Sequence, residues 1–190
     1  MTTEYLDISW KGPFEWPKPR KRSPLDGMRG VYLWTLKSET GYVVIGVGLS
    51  SNIRNRFLTH RRDFLSGKLT VLDIKMARQG TRSEIWHGFW APYNTQESRE
   101  EFQVREAEIR AAAMRQIEAT EIFVAEATDI RLQQRLEAGI QGARMAAQEP
   151  YCHLPAVGMA LAPRRSNEPL IEVTNRSGHP FCNLPRSFLI

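Results

Sequence analysis

Gly30-Val31-Tyr32-Leu33-Trp34-Thr35-Leu36, a polar turn Lys37-Ser38-Glu39-Thr40-Gly41, and Tyr42-Val43-Val44-Ile45-Gly46-Val47-Gly48 set the frame for the rest of the chain. Both flanks are rich in β-branched and aromatic residues, and the connection between them is polar and ends in glycine. That pattern predicts a β-hairpin. Gly46 and Gly48 are expected to break the second strand. Ser50 or Ser51 then stands where a hydroxyl can cap a helix. In the helix expected from 51 to 64, Ile53, Phe57 and Phe64 fall on one stripe at a period near 3.6. His60 lies inside that stripe, and Arg56 lies on its edge one turn earlier. A tyrosine, an arginine and a histidine are thereby aimed at one small sheet. Taken alone, the same pattern also fits a buried histidine beside a surface arginine.

Further along, 68–74 reads as a strand and 76–80 as a short helical turn. The stretch 84–89, with Trp86 and then Trp90, is a short apolar piece, and 92–98 is a loop. A long helix begins at Thr95 or Ser98 and runs to about Glu118, rich in good helix formers, with Phe102, Ile109, Ala113 and Ile117 as its seam. Ile122-Phe123-Val124-Ala125 is a buried-strand candidate. Thr128 or Asp129 caps a further helix to about Gln148, with Leu132, Leu136, Ile140 and Ala143 on its core face. Glu137 stands at the border of that face, either sheltered as a ligand or paired with Arg144. Residues 170–173 and 181–184 read as a terminal hairpin turning at Ser177-Gly178.

The first 28 residues read as an extended arm. Gly12, Pro13, Pro17, Pro19 and Pro24 deny it a helical period, and Trp10, Phe14 and Trp16 are there either to pin it to the domain, the favoured use, or to stack on bases. At 190 residues and 42% hydrophobic content, the chain is one domain with appendages. No apolar run is long enough to span a membrane, and no secretory leader pattern is visible, so a cytoplasmic location is expected. The 26 Lys and Arg against 21 Asp and Glu give a net charge of +5, which favours an anionic partner. The basic residues cluster at Lys18, Arg20, Lys21 and Arg22, at Arg54, Arg56, Arg61 and Arg62, and at Arg164 and Arg165. Acidic residues concentrate from Glu97 to Glu108 and from Glu118 to Glu126, which suits one phosphate-facing and one solvent-facing side. Cys152 and Cys182 lack paired ligand spacing. Zinc held by Cys152, His153, His179 and Cys182 is a minor alternative. Gly46-Val47-Gly48 lacks the lysine of a phosphate-binding loop of Walker type.

Taken together, these residues resemble the GIY-YIG nuclease family. Gly30-Val31-Tyr32 matches its first motif, and Val44-Ile45-Gly46 matches its second. Arg56 and His60 match the pair on its first helix, and Glu137 in Leu136-Glu137-Ala138-Gly139-Ile140 matches its metal-binding glutamate. The resemblance covers 29–148, with an N-terminal arm over 1–28 and a C-terminal extension with a β-hairpin over 149–190. It implies an α+β fold, a small, mostly antiparallel sheet flanked by helices. Val44 stands where the family carries tyrosine, and Tyr42, two residues upstream and on the same strand face by period 2, is its candidate substitute. The family's asparagine after the glutamate helix is replaced by Gln148-Glu149-Pro150.

The implied activity is Mg²⁺-dependent endonucleolytic hydrolysis of DNA, with RNA not excluded. Arg56 would hold the phosphate, since its planar fork matches two phosphate oxygens. Glu137 would bind the Mg²⁺ or another divalent cation. Tyr32 or His60 would orient or deprotonate the attacking water. Lys18, Arg20, Lys21, Arg22, Arg54 and Arg61 are the candidate phosphate contacts. Two other readings stay open. One is a nucleic-acid-binding module that kept the fold and lost the chemistry. The other is an unrelated α+β domain, in which Glu137 would lie far from Arg56 and Tyr32.

Overall fold

The computed structural model describes residues 3–89, 94–156 and 160–190. Trp90 and the first residues of the expected 92–98 loop lie outside the described residues. The chain begins with strands β1 (Thr3–Ser9) and β2 (Lys11–Phe14), then the hairpin β3 (Gly30–Lys37) and β4 (Tyr42–Ser50). Helix α1 (Ile53–Leu65) follows, then β5 (Val71–Leu72), the short α2 (Ile74–Arg78) and β6 (Glu84–Trp86). The long α3 (Gln96–Ala119) leads into β7 (Thr120–Glu126) and α4 (Ile130–Met145). A single 3₁₀ turn (Tyr151–His153) precedes β8 (Leu170–Arg176) and β9 (Ser187–Leu189).

The fold is α+β. A four-stranded sheet has the order β2-β7-β3-β4, with every neighbouring pair antiparallel. On one of its faces Tyr32, Ile122 and Val124 pack with Ile53, Phe57 and Phe64 of α1 and with Ile109, Ala113 and Ile117 of α3. On the other, Val31, Leu33, Val44 and Phe123 meet Leu136 and Ile140 of α4 and the second sheet, β1-β8-β9. Asn52 caps α1, its side chain accepting from the Asn55 N–H, so the cap lies one residue beyond the expected serines. A cap contributes about 1 kcal/mol. Burying Ile53, Phe57 and Phe64 contributes roughly 1.5–3 kcal/mol each, so packing rather than capping fixes this helix.

Several sequence expectations change. β4 continues through Gly46 and Gly48 to Ser50, because both glycines stay paired with β3. The N-terminal segment is built into the sheets. β1 runs parallel to β8, and β2 adds an edge to β7. Trp10 and Trp16 are buried, and Trp16 Nε1 donates to the Phe57 carbonyl at 3.1 Å. The C-terminal hairpin pairs β8 with β9 instead of with 181–184. That displaced segment serves β4: Tyr42 N–H donates to the Pro180 carbonyl, Cys182 N–H to the Tyr42 carbonyl, and Asn183 binds the N–H and C=O of Val44. An open strand edge is thereby covered.

Candidate active site

The alternation of β3 places Tyr32 and Trp34 on the α1 face of the sheet. Across from them stand Gly48 and Gly46 of β4. Both aromatic rings pass over these two positions. A Cβ on Gly46 would lie 3.1 Å from Trp34 Cε3, and one on Gly48 would run into the Tyr32 hydroxyl. Arg56 and His60, one turn apart on α1, reach the same place. From α4 come Glu137, Gln141 and Arg144, spaced four and three residues apart and so on one stripe. These side chains line a cavity of about 330 Å³, closed further by Thr70, Arg82 and Gln116.

The Tyr32 hydroxyl is 3.0 Å from His60 Nε2 and 3.4 Å from Arg56 Nε. Arg56 Nε can only donate, so the phenol oxygen accepts from it and the phenol proton is directed to His60 Nε2. This assigns the imidazole proton to Nδ1, which is buried without a hydrogen-bond partner among the described residues. Burial, and then the Arg56 charge, lowers His60 to about 3, so it is neutral at physiological pH. Burial raises Tyr32 above its usual value. The hydrogen bond and charge of Arg56 oppose that shift, and Glu137 adds to it. Glu137 is half-buried and raised by burial, with Arg56 opposing. Arg144 is buried, donates to the Val44 carbonyl at 3.0 Å and to Gln141 Oε1 at 2.7 Å, and is lowered to about 9 by burial and then by Arg82. Of the two alternatives for Glu137, the pair with Arg144 is therefore not the one formed.

Tyr32, Arg56, His60 and Glu137 thus come together as expected from the sequence. Tyr42 does not join them. Trp34 pairs with Gly46 and Thr35 with Val44, so β4 carries an extra residue at Ile45. The bulge reverses the alternation. Tyr42 and Val44 therefore face the α4 side, where Tyr42 packs edge-on to Phe123 at 4.9 Å. Burial and the Glu121 carboxylate push the Tyr42 phenol up to about 12. The valine in the second motif is accordingly not the reason that β4 brings no tyrosine hydroxyl to the cavity. Gly46 and Gly48 are. Sequence reading also missed Trp34 and Gln141, and it named Arg144 only as a partner for Glu137. Period 2 from Tyr32 and helical spacing from Glu137 are the signals that find them.

Of the candidate phosphate contacts, Lys18, Arg20, Lys21 and Arg22 are exposed. Arg54 anchors their loop to α1, with Nε 2.9 Å from the Asp26 carboxylate and Nη2 donating to the Lys21 carbonyl at 3.1 Å. Arg61 points to α3 instead, onto the Met114 sulfur at 3.5 Å.

Glu137 forms no ion pair among the described residues. A single sheltered carboxylate beside space for waters and a phosphate suits Mg²⁺, which keeps several waters and takes few protein ligands. The zinc set considered from sequence is not assembled. Cys152 and His153 gather instead with Glu149, outside the cavity lining. His179 packs on Tyr42 and Phe123, and Cys182 lies by Ser38 and Thr40. No protein-family model, curated protein or solved structure matches the chain. No helix among the described residues is long and apolar enough to cross a membrane.

Proposed function

We propose that this chain is a Mg²⁺-dependent endonuclease of GIY-YIG type that hydrolyses phosphodiester bonds in DNA. The observation that carries the reading is a buried tyrosine hydroxyl held between Arg56 and His60 in a cavity shared with Glu137. Arg56 is exposed beyond its contact with Tyr32, which leaves its terminal nitrogens for two phosphate oxygens. Tyr32 and neutral His60 form a proton path. A water beside the phenol oxygen gives its proton to Tyr32 as Tyr32 gives its own to His60 Nε2. Burial is the larger cause of the low His60 value; an anionic phosphate on Arg56 offsets the smaller one, the Arg56 charge, and to that extent makes the imidazole a better base. When bound at Glu137, Mg²⁺ supplies Lewis-acid polarisation of the phosphoryl group and stabilises the leaving oxygen.

One observation favours a second reading, a nucleic-acid-binding module without cleavage. β4 offers the cavity two glycines and no hydroxyl. Supercoiled plasmid with Mg²⁺, beside an EDTA control and Glu137→Ala, separates the two. Nicking lost in both controls is the expected result. Salt-sensitive binding without nicking supports the module, and nicking that survives Glu137→Ala rejects Glu137 as the metal ligand.

A further inference from the structure

The cavity has features that holding a phosphate does not use. Its 330 Å³ falls at the lower end of the roughly 300–1,000 Å³ typical of small-molecule sites. The Tyr32 and Trp34 rings lie 6.5 Å apart and within 16° of parallel. They form an aromatic surface that exists because Gly46 and Gly48 send no side chain into its space. Beside it stand the amides of Gln116 and Gln141 and the guanidinium of Arg144. Arg144 is 1% exposed, yet its hydrogen bonds go to a carbonyl and an amide, and no carboxylate pairs with it among the described residues. Arg144 Nε and Trp34 Nε1 are buried donors without partners, as is the protonated His60 Nδ1. A buried cation lacking an anion is costly, and so is an unused buried donor. Three such groups lie in the wall of one cavity, within the packed protein and not on its open face; reached as a ligand enters, they suit one that is aromatic on one side and rich in acceptors on another.

We infer that the cavity holds one unpaired nucleotide of the substrate strand. Its base stacks on the Tyr32–Trp34 surface, and its acceptors turn toward Arg144 and the amides. The inference rests on the nucleic-acid reading above and adds a substrate class: strands with an unstacked base beside the bound phosphate, in preference to continuous duplex. Stacking on a protein ring changes affinity by roughly 5- to 150-fold per base. Extrusion is easiest for a base that is already unpaired.

The test is binding of the full chain in EDTA to two oligonucleotide duplexes, one fully paired and one with a single bulged 2-aminopurine. The bulged duplex is expected to bind about 10-fold tighter or more, with the 2-aminopurine emission quenched. Gly46→Leu, whose side chain would press the Trp34 ring out of its place, and Trp34→Leu, which removes one ring, are each expected to bring the affinity ratio toward one. Circular dichroism checks that each variant folds, and Trp34→Leu decides alone where Gly46→Leu does not. Equal affinities in the unmodified chain overturn the inference, as does a preference that survives Trp34→Leu. Plasmid nicking without a bulge preference removes this inference and leaves the nuclease reading. A preference without nicking does the reverse. Binding to neither duplex overturns both.

Discussion

His60 is held neutral by its surroundings, and this has a measurable consequence for stability. The unfolded chain takes up a proton near 6.5, whereas burial and Arg56 delay that uptake in the fold to about 3. The contribution of neutral His60 is therefore complete above pH 6.5 and is lost as pH falls from 6.5 toward 3. At about 1.4 kcal/mol per unit, roughly 2 kcal/mol is gone by pH 5. Urea unfolding at pH 7.5 and pH 5 is expected to show that loss in the natural chain. His60→Gln should lose about 2 kcal/mol less over the same interval, since the other titrating groups cancel in the comparison. Equal losses would mean that His60 titrates like a free histidine. The residue itself was legible in the sequence, because an apolar stripe of Ile53, Phe57 and Phe64 that admits one histidine buries it. The depth of its shift was not, because burial is its main cause and that burial comes from residues the sheet brings over the ring, among them Trp34, whose ring centroid lies 4.8 Å away.

Helix α4 and strand β4 show which parts of an element a sequence displays. The periodicity of α4 gave its core face, Leu132, Leu136 and Ile140, and with it the border position of Glu137. The neighbouring stripe of Glu137, Gln141 and Arg144 is polar, and polarity alone suggests solvent. Gln141 and Arg144 are nevertheless buried, because α4 meets β4 at Val44. In β4 the period-2 rule failed at one residue. The Ile45 bulge moves the cavity face from Val44 to Gly46, and local composition carries no mark of an extra residue in a strand. Arg144→Met tests whether the α4 stripe serves the ligand or the fold. The Val44 carbonyl keeps its bond from Asn183 Nδ2 at 2.9 Å, and a buried cation without an anion contributes little net stability. The variant is expected to unfold within about 1 kcal/mol of the natural chain while losing affinity for DNA. A loss of about 3–5 kcal/mol would identify Arg144 as a structural clasp between α4 and β4.

At the scale of the whole molecule, the expected domain with appendages becomes a shared sheet system. β1 joins β8 across the length of the chain, and β2 closes one side of the central sheet. Such long-range pairing has no local sequence signal beyond the extended character of the arm, and the prolines that marked it as an arm begin in earnest only after Trp16. What remains outside the sheets is the stretch from Pro17 to Pro24, and it carries the densest positive charge. Its Lys18, Arg20, Lys21 and Arg22 are exposed, and Arg54 fastens it beside the first turn of the helix that bears Arg56 and His60. On the proposed function, charge held next to the cavity would bind phosphates that flank the one on Arg56. Changing all four (Lys18→Gln, Arg20→Gln, Lys21→Gln and Arg22→Gln) should leave the melting temperature nearly unchanged, since exposed substitutions shift stability by about 0.5 kcal/mol or less each. The slope of log affinity against log salt should flatten by about 0.9 for each phosphate that is no longer neutralised, and so by as much as about 3.6. A bulge preference of the kind inferred above would belong to the cavity and should persist. A salt slope that does not move would place the DNA path on another face of α1 and leave this loop as an anchor for the N-terminal strands.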